Sequence, residues 1–220
     1  MSKENKTQNR LKVKIIVAGN VGVGKTTMLL NYCGLEEEPK TGINKKTIIN
    51  NRKVNLIFKK TLSPGEMINI NSHDFYGNAV MCIYVADITN LKSFQDIENW
   101  NGQIDYSIKE PITKYLCLNK TDLEQTVPNE EIEKIILKFN LQKFSICAKT
   151  GEGIRDMFDY LIPIAIKNSI ENLQRRGIPI PPTIDEEEER EKEEKNRKEK
   201  DKKKDEEEAP ELLRNPCSIQ

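Results

Sequence analysis

The segment "VAGNVGVGKTTMLL" joins an apolar run to a helical one through three glycines, and few folds accept such a joint. Upstream, "LKVKIIVAG" (11–19) alternates and then becomes continuously apolar, as a central β-strand does. Downstream, "GKTTMLLNYCG" (24–34) reads as a helix closed by Gly34. The joint holds Gly19, Gly24, Lys25 and Thr26 in the register G-x-x-x-x-G-K-[ST]. Glycines let backbone N–H groups turn inward around phosphates, and the helix N-terminus adds positive potential. Lys25 is placed to reach β- and γ-phosphates, and the Thr26 hydroxyl to ligate Mg²⁺. Val21, Gly22, Val23 and Thr27 complete the expected cradle.

The rest of the chain repeats the alternation. "INKKTIINNRKVNLIFKK" (43–60) reads as a hairpin around "NNRK", and 79–88, 113–120 and 143–149 as strands. Helices are expected at 91–104, at 128–139 behind Pro128, and at 154–174, where Pro163 must kink the helix or cost a hydrogen bond. Strands alternating with helices predict an α/β fold. The expectation is a mostly parallel six-stranded sheet with one antiparallel edge strand and helices on both faces. Ligands in such sheets bind beyond the C-terminal strand ends.

Two further motifs fall at those ends. "CLNKTD" places Asn119, Lys120 and Asp122 as N-K-x-D. A carboxylate can take two parallel hydrogen bonds, and guanine, unlike adenine, offers that donor pair from its ring N–H and exocyclic amino group. The Lys120 stem can cover the base, and Asn119 can brace the loops. After the next strand, Cys147-Ala148-Lys149 offers a backbone N–H to the guanine carbonyl.

With these motifs on one alternating framework, residues from about 11 to 172 resemble a Ras-superfamily small GTPase, a P-loop NTPase G domain. "AVMCIYVADITNLKSFQDIENW" is similar in rhythm to the Rab branch. The resemblance implies a guanine-nucleotide switch that binds GTP and GDP with Mg²⁺. It also implies that residues 39–46 and a second switch are presented to effector proteins and an exchange factor, in vesicle traffic or signalling. A first-switch threonine ligates the metal in that family; Thr41 is the nearest match, and Thr47 reads rather as a strand residue.

The resemblance fails at "FKKTLSPGEM" (58–67). The family has W-D-T-A-G-Q there: the aspartate holds Mg²⁺ through water, the glycine hinges, and the glutamine orients the attacking water. If Phe58 stands for the tryptophan, Lys59 or Lys60 takes the aspartate position. If Pro64-Gly65-Glu66 stands for A-G-Q, Leu62 does. Glu66 is the one candidate for water activation, and it would repel the γ-phosphate; His73 reads as a solvated loop residue. Val21 takes a position that is glycine in Ras and often serine in Rab proteins, where a β-branched side chain crowds the γ-phosphate. The expectation is intact binding with slow hydrolysis; the alternative is a non-hydrolysing pseudo-GTPase acting as an interaction platform. An ATP-using P-loop enzyme is disfavoured by N-K-x-D and by the lack of an arginine-rich lid.

Charge separates the chain's ends from this body. Lysine plus arginine equals aspartate plus glutamate, 35 each, so bulk charge points to no nucleic acid. Within 185–208, 14 residues are acidic and 9 basic. Such a run buries no core, so the folded part is expected to end before Pro181, and 175–185 reads as an extended proline-bearing linker to the run. The run carries i,i+4 Glu–Lys pairs and fits a solvated helix or disorder equally. The expected division is a leader at 1–10, the G domain at 11–174 and a charged tail at 175–220. The tail ends in "CSIQ", a C-a-a-X pattern at Cys217 that predicts a prenyl group and reversible attachment to the cytoplasmic face of a membrane. Five cysteines without paired spacing read as reduced thiols of a cytosolic protein, and the polar N-terminus shows no signal peptide. A monomer is expected.

Overall fold

The structure is a computed structural model that describes residues 9–61 and 75–208, with side chains described up to residue 200. Its strands are β1 (Leu11–Ala18), β2 (Asn44–Ile49), β3 (Arg52–Lys60), β4 (Ala79–Asp87), β5 (Thr113–Asn119) and β6 (Gln142–Ser145). Its helices are α1 (Lys25–Cys33), α2 (Leu91–Gln95), α3 (Ile97–Ser107), α4 (Asn129–Phe139), α5 (Ile154–Arg175) and α6 (Ile184–Glu208). The sheet order is β2-β3-β1-β4-β5-β6. Only the β2–β3 pair is antiparallel. The expected α/β sheet with one antiparallel edge strand is therefore present.

All nine residues of β4 are buried, because helices cover both faces of the sheet. On one face, Met28 and Leu29 of α1 and Met157, Phe158 and Leu161 of α5 pack against Val13, Ile15 and Leu56. On the other, Phe94, Ile97, Trp100 and Ile104, with Ile132 of α4, pack against Ile16, Tyr84 and Leu116. Odd and even residues of β1 thus serve opposite cores, as a two-residue period requires.

The hairpin turn is tighter than "NNRK". Asn50 and Asn51 both take positive φ (47° and 58°), the backbone of a two-residue type I′ turn, and Arg52 already belongs to β3. The single helix expected over 91–104 is two. Asp96 separates them, and its N–H is bonded back to the Lys92 carbonyl. The last strand ends at Ser145, short of the expected 149, which leaves Ile146 to Lys149 free to turn. Pro163 is accommodated inside α5, one backbone N–H short. Cys82, Cys117 and Cys147 are buried free thiols; burial pushes the Cys82 and Cys117 thiols far up.

The end expected before Pro181 is corrected. Contacts run on to Glu187, because the linker folds back over the hairpin tip. Ile184 N–H donates to Asn51 O at 2.9 Å. The Arg52 guanidinium meets the Pro181 carbonyl, and Lys53 pairs with Glu187. Beyond that first turn α6 is exposed all round as far as residue 200, with pairs such as Glu194–Lys198 at 2.5 Å along it. Glu66, His73 and Cys217 lie outside the described residues.

Candidate nucleotide site

The site forms where β1, β4, β5 and β6 end on the same edge of the sheet. After β1 the chain must turn sharply into α1, and two glycines make that possible. Gly19 has φ 145°, and a Cβ there would lie 2.3 Å from Val85 O. Gly24 has φ 95°, and its Cβ would lie 2.2 Å from Asn119 Nδ2. Both approaches are closed to any L side chain. Gly24 begins α1 without a side-chain cap, and no acid sits in the first turn. The helix N-terminus thus keeps its donors and its positive end for an anion.

Lys25 curls over this turn and donates to Gly19 O at 2.6 Å and Asn20 O at 2.7 Å. Burial first, and then the neighbouring Lys60 charge, bring its ammonium down to about 8. Asn20 fixes the turn from the side. Its Nδ2 donates to Asp96 Oδ2 at 2.7 Å, and its Oδ1 accepts from Trp100 Nε1 at 2.9 Å. Thr61, just past β3, closes the back: Gly19 N–H donates to its hydroxyl oxygen, and the hydroxyl donates to Gly19 O, both at 3.1 Å.

The N-K-x-D segment reaches the same place from β5. Asn119 is buried, donates to Val23 O at 2.7 Å and accepts from Ala148 N–H at 2.8 Å. One side chain thereby joins all three loops, which is the bracing role expected of it. Because Asn119 takes the Ala148 N–H, the neighbouring Lys149 N–H, which makes no hydrogen bond among the described residues, is the better placed donor for a carbonyl. Lys120 takes a left-handed φ of 69°, and its ammonium pairs with Asp87 Oδ2 at 2.6 Å. Asp87 also accepts from Thr89 N–H (2.9 Å) and Thr89 Oγ1 (2.8 Å). Cys147 Sγ donates to Asp122 Oδ1 at 3.2 Å, steadying that carboxylate.

One cavity gathers these parts. Gly22, Gly24 and Thr27 line it from the first loop, Asn119, Lys120 and Asp122 from the second, and Ala148 and Lys149 from the third, with Leu123 beside them. Val23 and Cys147 lie behind the lining and are buried. Val21 stands 76% exposed at the turn. Sequence reasoning missed Asn20, Asp87, Asp96 and Leu123. A buried acid ending an apolar strand, as in "VADIT", is the signal that could have found Asp87.

The first switch and the end of β3 depart from expectation. Thr41 is exposed, inside a turn closed by Gly42 N–H to Pro39 O at 2.9 Å. Thr47 pairs with Val54 in β2, a strand residue as expected. Just ahead of residues 39–46, Glu38 is the side chain that reaches Lys60. Of the two lysines, Lys59 lies over the Phe75 ring, 5.1 Å from its centroid, while Lys60 reaches the loop. Lys60 Nζ donates to Thr26 Oγ1 at 2.7 Å and to Glu38 Oε2 at 2.5 Å.

These residues do not fit the metal expected at Thr26. Mg²⁺ binds its ligand oxygens at about 2.0–2.1 Å. Placed on the same hydroxyl, the ion and the ammonium would lie about 4 Å apart and repel strongly. Lys60 also ends β3, where one of the two alignments puts the aspartate that the family pattern uses to hold the ion.

A model of the Ras family matches residues 14–167. Among similar curated proteins is Ras-related protein RABG1 of Arabidopsis thaliana, 28% identical over 196 residues, covering 81% of this chain and 95% of that protein. Ras-related protein Rab-18 of Caenorhabditis briggsae is 27% identical over 161 residues, covering 68% and 78%. Ras-related protein Rab-21 of Homo sapiens is 28% identical over 154 residues, covering 66% and 68%.

Proposed function

The chain belongs to the Ras family, as a Rab-like small GTPase, and from that premise we propose a guanine-nucleotide switch that binds GTP and GDP tightly and hydrolyses GTP slowly. The observation that carries the reading is Asn119, which holds the phosphate loop and both base loops around one cavity. In that cavity Asp122 takes the two guanine donors, the Lys120 stem covers the base, and Lys149 N–H meets the carbonyl. Lys25, Thr26 and the open start of α1 take the phosphates.

Slow hydrolysis follows from what faces the γ-phosphate. Phosphoryl transfer depends on positioning and charge stabilisation. Val21 projects its branched side chain at the turn, and a lysine stands where the family places an aspartate. Glu66 is the remaining candidate for handling water, and its carboxylate repels phosphate. The same observations favour a second reading, a pseudo-GTPase that serves as a nucleotide-bound platform.

The Rab-like body and the "CSIQ" end together support a prenyl group on Cys217, membrane attachment on the cytoplasmic face, and a place in vesicle traffic. Among the described residues no helix is long and apolar enough to cross a membrane. Effectors and an exchange factor would meet the monomer at residues 39–46 and the second switch. Chromatography of nucleotide released from purified protein tests the reading. GDP supports a cycling switch and GTP a slow or locked one, whereas adenine nucleotide or none overturns it.

A further inference from the structure

Lys60 closes β3, in register with Val17 at the end of β1. That register sets its side chain beside the start of α1, and only 19% of the side chain is exposed. The ammonium sits 2.7 Å from Thr26 Oγ1, a charge-assisted hydrogen-bond length. Lys25, one residue before Thr26, brings a second ammonium to the same loop and holds it on Gly19 O and Asn20 O. Among the described residues, Glu38 is the one carboxylate placed on Lys60. Two fixed cations and one carboxylate therefore face a phosphate cradle, in a place where a single lysine and a divalent ion would otherwise share the work.

We propose that Lys60 is a tethered cation that takes the place of the divalent ion, so that this chain binds guanine nucleotide without a metal. The proposal rests on the guanine-nucleotide reading above. A divalent ion in such a site does two things for binding: it neutralises β- and γ-oxygens, and it anchors them to the threonine hydroxyl. Lys60 supplies both. One N–H holds Thr26 Oγ1, and the others point to acceptors on the open side, where Glu38 now sits. A phosphate oxygen is a stronger anion than one carboxylate oxygen and takes that seat when nucleotide enters, freeing Glu38 and with it the first switch. Backbone position makes the cation permanent: it cannot dissociate, be chelated or be exchanged. A lone ammonium carries one charge instead of two, so it favours binding over the charge build-up of γ-phosphoryl transfer, in keeping with slow hydrolysis.

The test is the metal dependence of GDP affinity in the full-length chain, stripped of nucleotide and titrated by calorimetry in millimolar EDTA and in millimolar MgCl₂. The proposal expects dissociation constants that differ by less than about tenfold. Binding tighter in Mg²⁺ by tenfold or more overturns it. Absence of GDP binding in both media overturns the guanine-nucleotide reading itself, and is told apart from metal-dependent binding by the Mg²⁺ arm. Lys60→Met, which keeps the aliphatic stem, is expected to weaken GDP binding in EDTA by at least about tenfold; unchanged affinity in EDTA contradicts the role. Lys60→Asp is expected to make binding depend on Mg²⁺, and metal-independent binding by that variant equally contradicts it.

Discussion

The Asn119 side-chain amide donates to the Val23 carbonyl oxygen at 2.7 Å and so ties the end of β5 to the phosphate loop. The same side chain accepts from Ala148 N–H. Removing it leaves a buried acceptor and a buried donor without partners, each a loss of about 1–3 kcal/mol. Asn119→Ala is expected to lower unfolding stability by at least about 2 kcal/mol in urea. It should also weaken GDP binding at least tenfold, since the loops lose their common tie.

Gly24→Ala has two faults, a positive φ of 95° and a Cβ 2.2 Å from Asn119 Nδ2. The variant must move Asn119 or the loop, at a cost of about 1–3 kcal/mol. Gly102→Ala is the contrast. Gly102 lies within α3 and nothing stands within 4 Å of its Cβ position. That change should raise stability by about 0.5–1 kcal/mol and leave nucleotide affinity alone. Denaturant curves and GDP titrations of the pair separate the two effects.

Asp122→Asn keeps the shape and hands the base a donor in place of an acceptor. Guanine loses two charge-assisted bonds, and GDP affinity should fall about ten- to hundredfold. ADP affinity, which never used those bonds, should not fall. Competition titrations with both nucleotides read the difference.

Asp87 gives the stability curve an acid limb. Burial alone would raise its carboxyl, but the hydrogen bond from Lys120, and then those from Thr89, hold it below the ordinary 3.8. A depressed folded-state value adds stability that is fully present above the unfolded value and is lost as pH falls through the folded one. Asp87→Asn should therefore be less stable than the parent at neutral pH, and the gap should narrow below about pH 4. Urea unfolding from pH 3 to 7 measures it, and a gap that stays constant across that range would remove Asp87 as its source.

The strand–loop–helix core of the fold was legible in sequence because each element carries its own period and its own stop. Gly34 ends α1 in the left-handed region, and Asn50-Asn51 marks a turn. The nucleotide motifs were legible for a related reason: each follows a strand and needs residue types with few substitutes. Tertiary choices were not legible. Nothing in "FKK" tells which lysine faces the loop; the β1–β3 register decides it, by pairing Val17 with Lys60. Nothing in "IPIPPTIDEE" shows that Glu187 will meet Lys53, because that pair joins segments 134 residues apart. The break at Asp96 was hidden because Phe94 before it and Ile97, Trp100 and Ile104 after it keep one apolar stripe.

The central claim is that nucleotide binding persists here while hydrolysis is impaired. Single-turnover hydrolysis of the purified chain loaded with GTP, run beside an ordinary Rab protein, tests it most directly. The account predicts GTP that stays bound and turns over at least about tenfold more slowly than on the Rab. A matching rate would contradict it.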